Sequence, residues 1–314
     1  MKQETVVVIV GAGPAGIATS ACLNLLSIPN IVLEREDCYA SLWQKKAYDR
    51  LKLHLAKNFC QLPHMPFPLS APTFVPKNMF VQYLQNYVYH YNVDPLYQRS
   101  VESVWYDRIE QKWVVTAKNR VLGLVEEYVC EFLVVATGEN SEGFIPNVYG
   151  LDTFKGLVIH SSEYENGKKF RNKDVLVVGA GNSGMEIAYD LYNWGAQTSI
   201  VVRSPMVLML SKFLYGDLGG YGIQRPFKGP FWLKQETGRS PVIDVGTVSK
   251  IKTRDIKDDG GLFNENGMPK HKSPNHWKGE NGLYCVGFAS AGLFGISNDA
   301  KNIANDISQI VHGN

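Results

Sequence analysis

Val6-Val7-Val8-Ile9-Val10-Gly11-Ala12-Gly13-Pro14-Ala15-Gly16 lies near the start of the chain, and Val175-Leu176-Val177-Val178-Gly179-Ala180-Gly181-Asn182-Ser183-Gly184 repeats it in the second half. Each copy begins with a continuous apolar, largely β-branched run, the pattern of a strand buried on both faces. Glycines spaced G-x-G-x-x-G follow. The first permits a tight strand-to-helix turn, the second lets the backbone approach a pyrophosphate, and the third lets the helix pack close. Unpaired N–H groups at the start of the next helix suit phosphate oxygens.

Outward from the first copy, Ile17, Ala18, Ala21, Cys22, Leu25 and Leu26 recur at helical spacing. Ile31-Val32-Leu33 then forms a second apolar strand, ending at Glu34 and Arg35. The second copy continues through Met185, Ile187, Ala188 and Leu191 to Ser199-Ile200-Val201-Val202, ending at Arg203 and Ser204. Two βαβ units predict an α/β fold with two Rossmann-like, three-layer dinucleotide-binding domains. The charge closing each unit separates them. A carboxylate accepts hydrogen bonds from ribose hydroxyls, as in FAD or NAD sites, whereas an arginine with a serine beside it neutralises a 2′-phosphate. The first unit is therefore assigned FAD, with Gly11, Gly13, Pro14, Ala15, Gly16, Glu34 and Arg35 as its binding residues. The second is assigned NADPH, with Gly179, Gly181, Asn182, Ser183, Gly184, Arg203 and Ser204. The plainer alternative, glycines that only close turns and charges that only solvate strand ends, needs both units to imitate the full context.

Phe132-Leu133-Val134-Val135 reads as a further buried strand closing on Ala136-Thr137-Gly138, which adds Thr137 and Gly138 to the FAD set. Residues 110–116 and 126–130 read as two β-segments. Residues 79–91 read as a helix burying Phe80, Leu84, Tyr87, Val88 and Tyr91, and Pro63 to Pro76 as an ordered loop. Near the end, Leu283-Tyr284-Cys285-Val286-Gly287 predicts a strand. Asp299 is expected to begin a helix that places Ala300, Ile303, Ala304, Ile307 and Ile310 on one face. The FAD domain is thus expected to be discontinuous, residues 1–148 and 262–314, around an inserted NADPH domain, residues 149–261.

Composition narrows the partners. The chain has 314 residues, is 45% hydrophobic and 20% charged, and carries a formal charge of +2, too near zero to argue for nucleic acid or a membrane surface. The apolar run at Val6 to Val10 is too short for a membrane span or a signal-peptide core, so a cytoplasmic protein is expected. Five cysteines with no close pair encode neither a zinc site nor a local redox disulfide, and no other spacing suggests a metal.

Phe154-Lys155-Gly156-Leu157-Val158-Ile159-His160-Ser161-Ser162-Glu163-Tyr164 resembles the FxGxxxHxxxY signature of flavin-containing monooxygenases, placed as in that family just before the second glycine loop. Leu51-Lys52-Leu53-His54-Leu55, Asn58-Phe59-Cys60-Gln61-Leu62-Pro63, Pro241-Val242-Ile243-Asp244-Val245-Gly246-Thr247 and Trp277-Lys278-Gly279-Glu280-Asn281-Gly282-Leu283-Tyr284 are similar to the plant YUCCA branch. That resemblance implies oxidative decarboxylation of indole-3-pyruvate, or a similar 2-oxo acid, to indole-3-acetate, the hormone auxin, with FAD, NADPH and O2. It implies His54 as the catalytic side chain, matching a polar residue that faces the flavin in related enzymes, and Trp43 as a flavin-packing residue. His160 is expected to organise the crossover between domains rather than to move a proton. Against the family pattern the chain is expected to be shortened between Ile256 and Gly282, where a closing strand is missing, and near Lys212 to Gly222; Ala56 stands where the family has proline. Three alternatives stay open: a shortened, catalytically impaired FAD-binding chain, an N- or S-oxygenating enzyme, and a disulfide reductase, which the cysteine spacing opposes.

Overall fold

The computed structural model describes residues 2–138, 141–179, 181–201, 275–288 and 292–313. They divide into two compact units: residues 2–47, 52–138, 141–146, 275–288 and 292–313 form the first, and residues 48–51, 147–179 and 181–201 the second. Tyr48–Leu51, inside the stretch assigned by sequence to the first domain, belongs to the second unit.

In the first unit β1 (Lys2–Val10), α1 (Pro14–Leu25) and β2 (Asn30–Glu34) make the expected βαβ unit, with β1 and β2 parallel and Val8 opposite Ile31. Then come α2 (Lys77–His90), β3 (Leu96–Tyr97), β4 (Arg99–Asp107), β5 (Lys112–Asn119) and β6 (Val125–Val135). The sheet order is β3-β2-β1-β6-β5-β4, and β9 (Leu283–Cys285) also pairs with β6. Strand β6 does two jobs along its length. Its first half pairs antiparallel with β5, Trp113 opposite Cys130, and its second half pairs parallel with β9, Leu133 opposite Leu283. The two β-segments expected at 126–130 and 132–135 are therefore one strand of 11 residues. The exposed Glu131 between them reads as a break in sequence, yet it only marks where the partner changes.

Burial explains the apolar runs. On β1, Val7 and Ile9 face a core built with α1, α2 and a last helix, α4 (Gly292–His312), while Val8 faces a second core with Trp113, Val115 and Tyr128 of the meander. Both faces are covered, and Val7, Val8 and Ile9 are all fully buried, which is worth about 1.5–3 kcal/mol per side chain. Helix α1 is buried continuously from Ala15 to Leu23, so Thr19 and Ser20 must find internal partners. The Thr19 hydroxyl donates to Ala15 O at 3.0 Å, and the Ser20 hydroxyl to Asn30 Oδ1 at 2.7 Å.

Several expectations change. Leu25 and Ile310, read as core-facing, are 53% and 56% exposed, because each lies in the last turn of its helix, beyond the covering elements. Helix α4 starts at Gly292, not Asp299, so Asp299 is an interior residue rather than a cap. Strand β4 had no clear alternating pattern and went unread; it forms because β5 offers it a free edge. In the second unit β7 (Asp174–Val178), α3 (Asn182–Asn193) and β8 (Gln197–Val201) repeat the βαβ plan, with β7 parallel to β8. Here the reading of a strand buried on both faces is corrected. Val175 and Val177 pack inward, but Leu176 and Val178 are 60% and 75% exposed. Among the described residues β7 pairs only with β8, whereas β1 has a neighbour on each side. The shortenings expected near 212–222 and from 256 onward, like Val202, lie outside the described residues up to residue 274.

Candidate functional site

The first glycine loop is built as its spacing requires. Gly11 adopts φ +105°, and a Cβ there would lie 2.6 Å from Ala136 O; a Cβ at Gly16 would lie 1.8 Å from Gly11 O. These two glycines are demanded by the chain itself. Gly13 is different: a Cβ built on it meets nothing within 4 Å. It caps α1, with Pro14 at the first helical position and Ala15 buried behind it, so an open face lies at the positive end of the helix dipole. That is the cradle a pyrophosphate needs.

Glu34 closes the loop from the end of β2. It is buried, and its carboxylate accepts Ala12 N at 2.7 Å through one oxygen and Glu36 N at 2.9 Å through the other. An ionised carboxylate offers about four lone-pair sites, so these two donors leave capacity for ribose hydroxyls. Arg35 turns the other way, bonding Glu142 Oε1 at 2.6 Å and Ser141 O at 3.1 Å beyond Thr137 and Gly138, the latter at φ +77°. Ala40 N donates to Ala12 O at 2.8 Å, which hangs the π-helical turn Leu42–Lys46 from the same loop. Trp43 on that turn packs edge-on against Phe80, ring centroids 4.5 Å apart. The structure thus gathers Gly11 to Gly16, Glu34, the turn that carries Trp43 and the 136–138 turn around one loop, with the Arg35 side chain directed to Glu142 and Ser141 instead. His54 is exposed, in a segment held by Leu53 N to Val75 O and Lys57 N to Thr73 O. Replacing Glu34 with alanine leaves the buried Ala12 N–H without its acceptor; on the assignment of FAD to this loop it is expected to weaken retention of the nucleotide by about tenfold or more, read from flavin content after gel filtration.

The second glycine loop, whose Ala180 lies outside the described residues, repeats the first at its outer glycines. Gly179 adopts φ +112°, a Cβ at Gly184 would lie 2.0 Å from Gly179 O, and Gly181 caps α3, whose first turn carries Asn182 and Ser183. Arg203 and Ser204 lie outside the described residues.

The signature motif acts as a clamp on this unit. Gly156 leaves room for Phe154, whose ring would lie 2.4 Å from a Cβ at that glycine. His160 caps the short helix Ser161–Glu163: its Nδ1 accepts from Ser162 N at 3.2 Å, and its own N–H reaches Glu163 Oε1 at 3.3 Å. Tyr164 is buried and donates to Asp190 Oδ2 at 2.6 Å, an oxygen that also accepts Gly167 N at 2.9 Å. Burial, then the hydrogen bond to Asp190 and its charge, pushes the Tyr164 phenol well above its ordinary range. The Tyr48–Leu51 strap adds Arg50, 3.8 Å from Asp190 Oδ1 and stacked 4.5 Å over the Tyr189 ring. Sequence reading missed Asp190, although a signal was present. It is the charged residue on the same helical face as Ile187 and Leu191, and a charge inside an apolar stripe implies a buried partner.

A protein of Arabidopsis thaliana named "Probable indole-3-pyruvate monooxygenase YUCCA10" is 47% identical to this chain, over 98% of each. Indole-3-pyruvate monooxygenase YUCCA6 of the same plant is 40% identical, over 96% of this chain and 89% of its own length. The chain belongs to the YUCCA family.

The alignment to YUCCA10 runs over 377 positions against a chain of 314 residues, so at least 63 positions have no counterpart in this YUCCA chain. Residues 8–211 match a broader family model described as pyridine nucleotide-disulphide oxidoreductase. The flavin-containing monooxygenase of Stenotrophomonas maltophilia has the same fold, with a TM-score of 0.73 at 19% identity over 98% of this chain and 99% of that one. Disulfide chemistry has no support in this YUCCA chain. All five cysteines are free, and burial pushes the Cys22, Cys60 and Cys130 thiols up to about 12, 11 and 12, far from the thiolate form such chemistry uses. Among the described residues no cluster suits a metal, and no helix is long and apolar enough to cross a membrane.

Proposed function

We propose that this chain is a flavin-dependent monooxygenase that holds FAD at the first glycine loop and NADPH at the second, and that converts indole-3-pyruvate, O2, NADPH and a proton to indole-3-acetate, CO2, NADP⁺ and water. The similarity along the full length of an indole-3-pyruvate monooxygenase carries this reading. The bound flavin, once reduced by the nicotinamide, would supply the oxygen activation. The protein's part is binding and placement. Glu34 would take the ribose hydroxyls of FAD, and the N–H groups around Gly13 would take its pyrophosphate. Trp43, fixed against Phe80, would pack on the flavin. On family resemblance, His54 is assigned to face the flavin and stabilise the reacting oxygen. In the second unit the first turn of α3 would hold the nicotinamide pyrophosphate, and Arg203 with Ser204 the 2′-phosphate that distinguishes NADPH from NADH.

One observation favours a second reading. The positions absent relative to YUCCA10 favour a chain that binds flavin but receives no hydride. An anaerobic titration separates the two. Bleaching of the oxidised flavin band at stoichiometric NADPH, with NADH much weaker, followed in air by indole-3-acetate formation, is the expected result. A bound flavin that NADPH leaves oxidised sinks the monooxygenase reading and leaves the flavin-binding one.

A further inference from the structure

Helix α4 buries Ala300, Ile303, Ala304 and Ile307 on one face, and Asp299, only 2% exposed, sits at the head of that apolar stripe. A buried carboxylate is unfavourable unless it is bonded on several sides. Asp299 has two partners. Oδ1 lies 3.0 Å from His276 Nε2, and Oδ2 accepts Gly287 N at 3.3 Å. Burial raises the Asp299 carboxyl above the ordinary range, and the neighbouring His276 offsets part of that rise.

His276 is itself held independently of this pair. The neighbouring Trp277 O accepts Cys285 N at 3.0 Å, Trp277 stacks on Tyr284, and Lys278 Nζ bonds Asp306 on α4 at 2.5 Å. His276 is 9% exposed, and its Nδ1 is buried without a hydrogen-bond partner. An orphaned buried nitrogen is poor economy for stability alone, and an apolar residue would fill the space at lower cost.

The Gly287 turn is what the pair holds. Val286 N donates to Val135 O at 3.1 Å, at the end of β6 beside the first glycine loop, and Gly287 then turns with φ +87°. A Cβ on Gly287 would lie 3.4 Å from Ala15 Cβ in the first turn of α1 and 3.4 Å from Ile296 Cγ1 on α4. The turn is therefore wedged between the helix end that carries the open Gly13 face and the helix that carries Asp299.

We propose that His276 and Asp299 form a tether that, through Gly287 N, sets this turn against the first turn of α1 and so determines how tightly the first unit holds its flavin nucleotide. Both are positioning residues. This rests on the reading that the first unit takes FAD. Gly287 itself carries no side chain, so a carboxylate reached across from α4 fixes the direction of its N–H, and the histidine fixes the carboxylate.

The test is FAD affinity of the full chain, followed by quenching of free FAD fluorescence, together with the visible circular dichroism of bound flavin and thermal unfolding of the apoprotein. Asp299→Ala is expected to weaken FAD binding about tenfold or more and to alter the flavin dichroism, while Asp299→Asn, which keeps an acceptor for Gly287 N, stays within about threefold of the parent. His276→Leu, which leaves Asp299 in place, is expected to fall between them and serves if Asp299→Ala does not fold. A variant whose melting temperature drops while FAD affinity and dichroism stay parental overturns the tether and leaves the flavin reading intact. A parent chain that takes up no FAD overturns the flavin reading, and the tether with it.

Discussion

A Gly13→Ala chain is expected to fold as its parent does and to lose FAD, with affinity down about 100-fold, or roughly 2.7 kcal/mol. The reasoning is steric and one-sided. A Cβ at Gly13 meets no atom of the chain within 4 Å, and the backbone there, φ −67° and ψ 178°, is open to any residue. Nothing in the apoprotein resists the methyl group. A pyrophosphate lying on the helix end would meet it directly, since backbone N–H groups bond phosphate oxygens only at close approach. Gly16→Ala supplies the contrast: its methyl would lie 1.8 Å from Gly11 O, so the helix must move off the strand, and a loss of about 3 kcal/mol or more in the apoprotein is expected. Thermal unfolding of the two apoproteins beside FAD titration reads both effects. Parental FAD affinity in the Gly13 variant would mean that the nucleotide does not lie over that glycine.

Asp190→Ala is expected to cost the second unit about 3–5 kcal/mol, as removal of one member of a buried charged network does. It strands the Tyr164 hydroxyl and Gly167 N, both buried, and leaves Arg50 facing them. Tyr164→Phe, which removes one donor and leaves the carboxylate with Gly167 N, should cost only about 1–2 kcal/mol. Because both changes act on one network, the double variant should lose little more than Asp190→Ala alone. Urea unfolding followed by a probe in the second unit measures this. Additive losses would show that Tyr164 and Asp190 act separately, and the clamp description would fail.

That network changes what the FxGxxxHxxxY motif means physically. As text it identifies a family. In the folded chain Phe154 covers a bare Gly156, His160 caps a turn, and Tyr164 secures the carboxylate of α3, so the motif fixes the helix that follows the second glycine loop. The capping bonds of His160 lie within the second unit, and the roles given to His54 and Trp43 stay with the proposed function.

The sequence by itself determined the two βαβ units, their glycine loops and the partner Glu34, because these are local: a strand, a turn and a helix end are encoded within about 25 consecutive residues by period and by glycine placement. Helix α2 was legible for the same reason, since Phe80, Leu84 and Tyr87 mark one face. Only the tertiary structure decided the rest. Strand β4 exists because β5 lends it an edge, and β6 is one strand because β1 pairs with it from Glu127 to Val135 while its other neighbour changes from β5 to β9. Tyr48–Leu51 joins the second unit, and Asp299 becomes a buried tether rather than a helix cap. In each case the deciding energy comes from partners distant in sequence, such as Asp190 for Tyr164 and Gly287 for Asp299. The local pattern shows at most a charge lodged in an apolar stripe, and only the folded chain says what that charge holds.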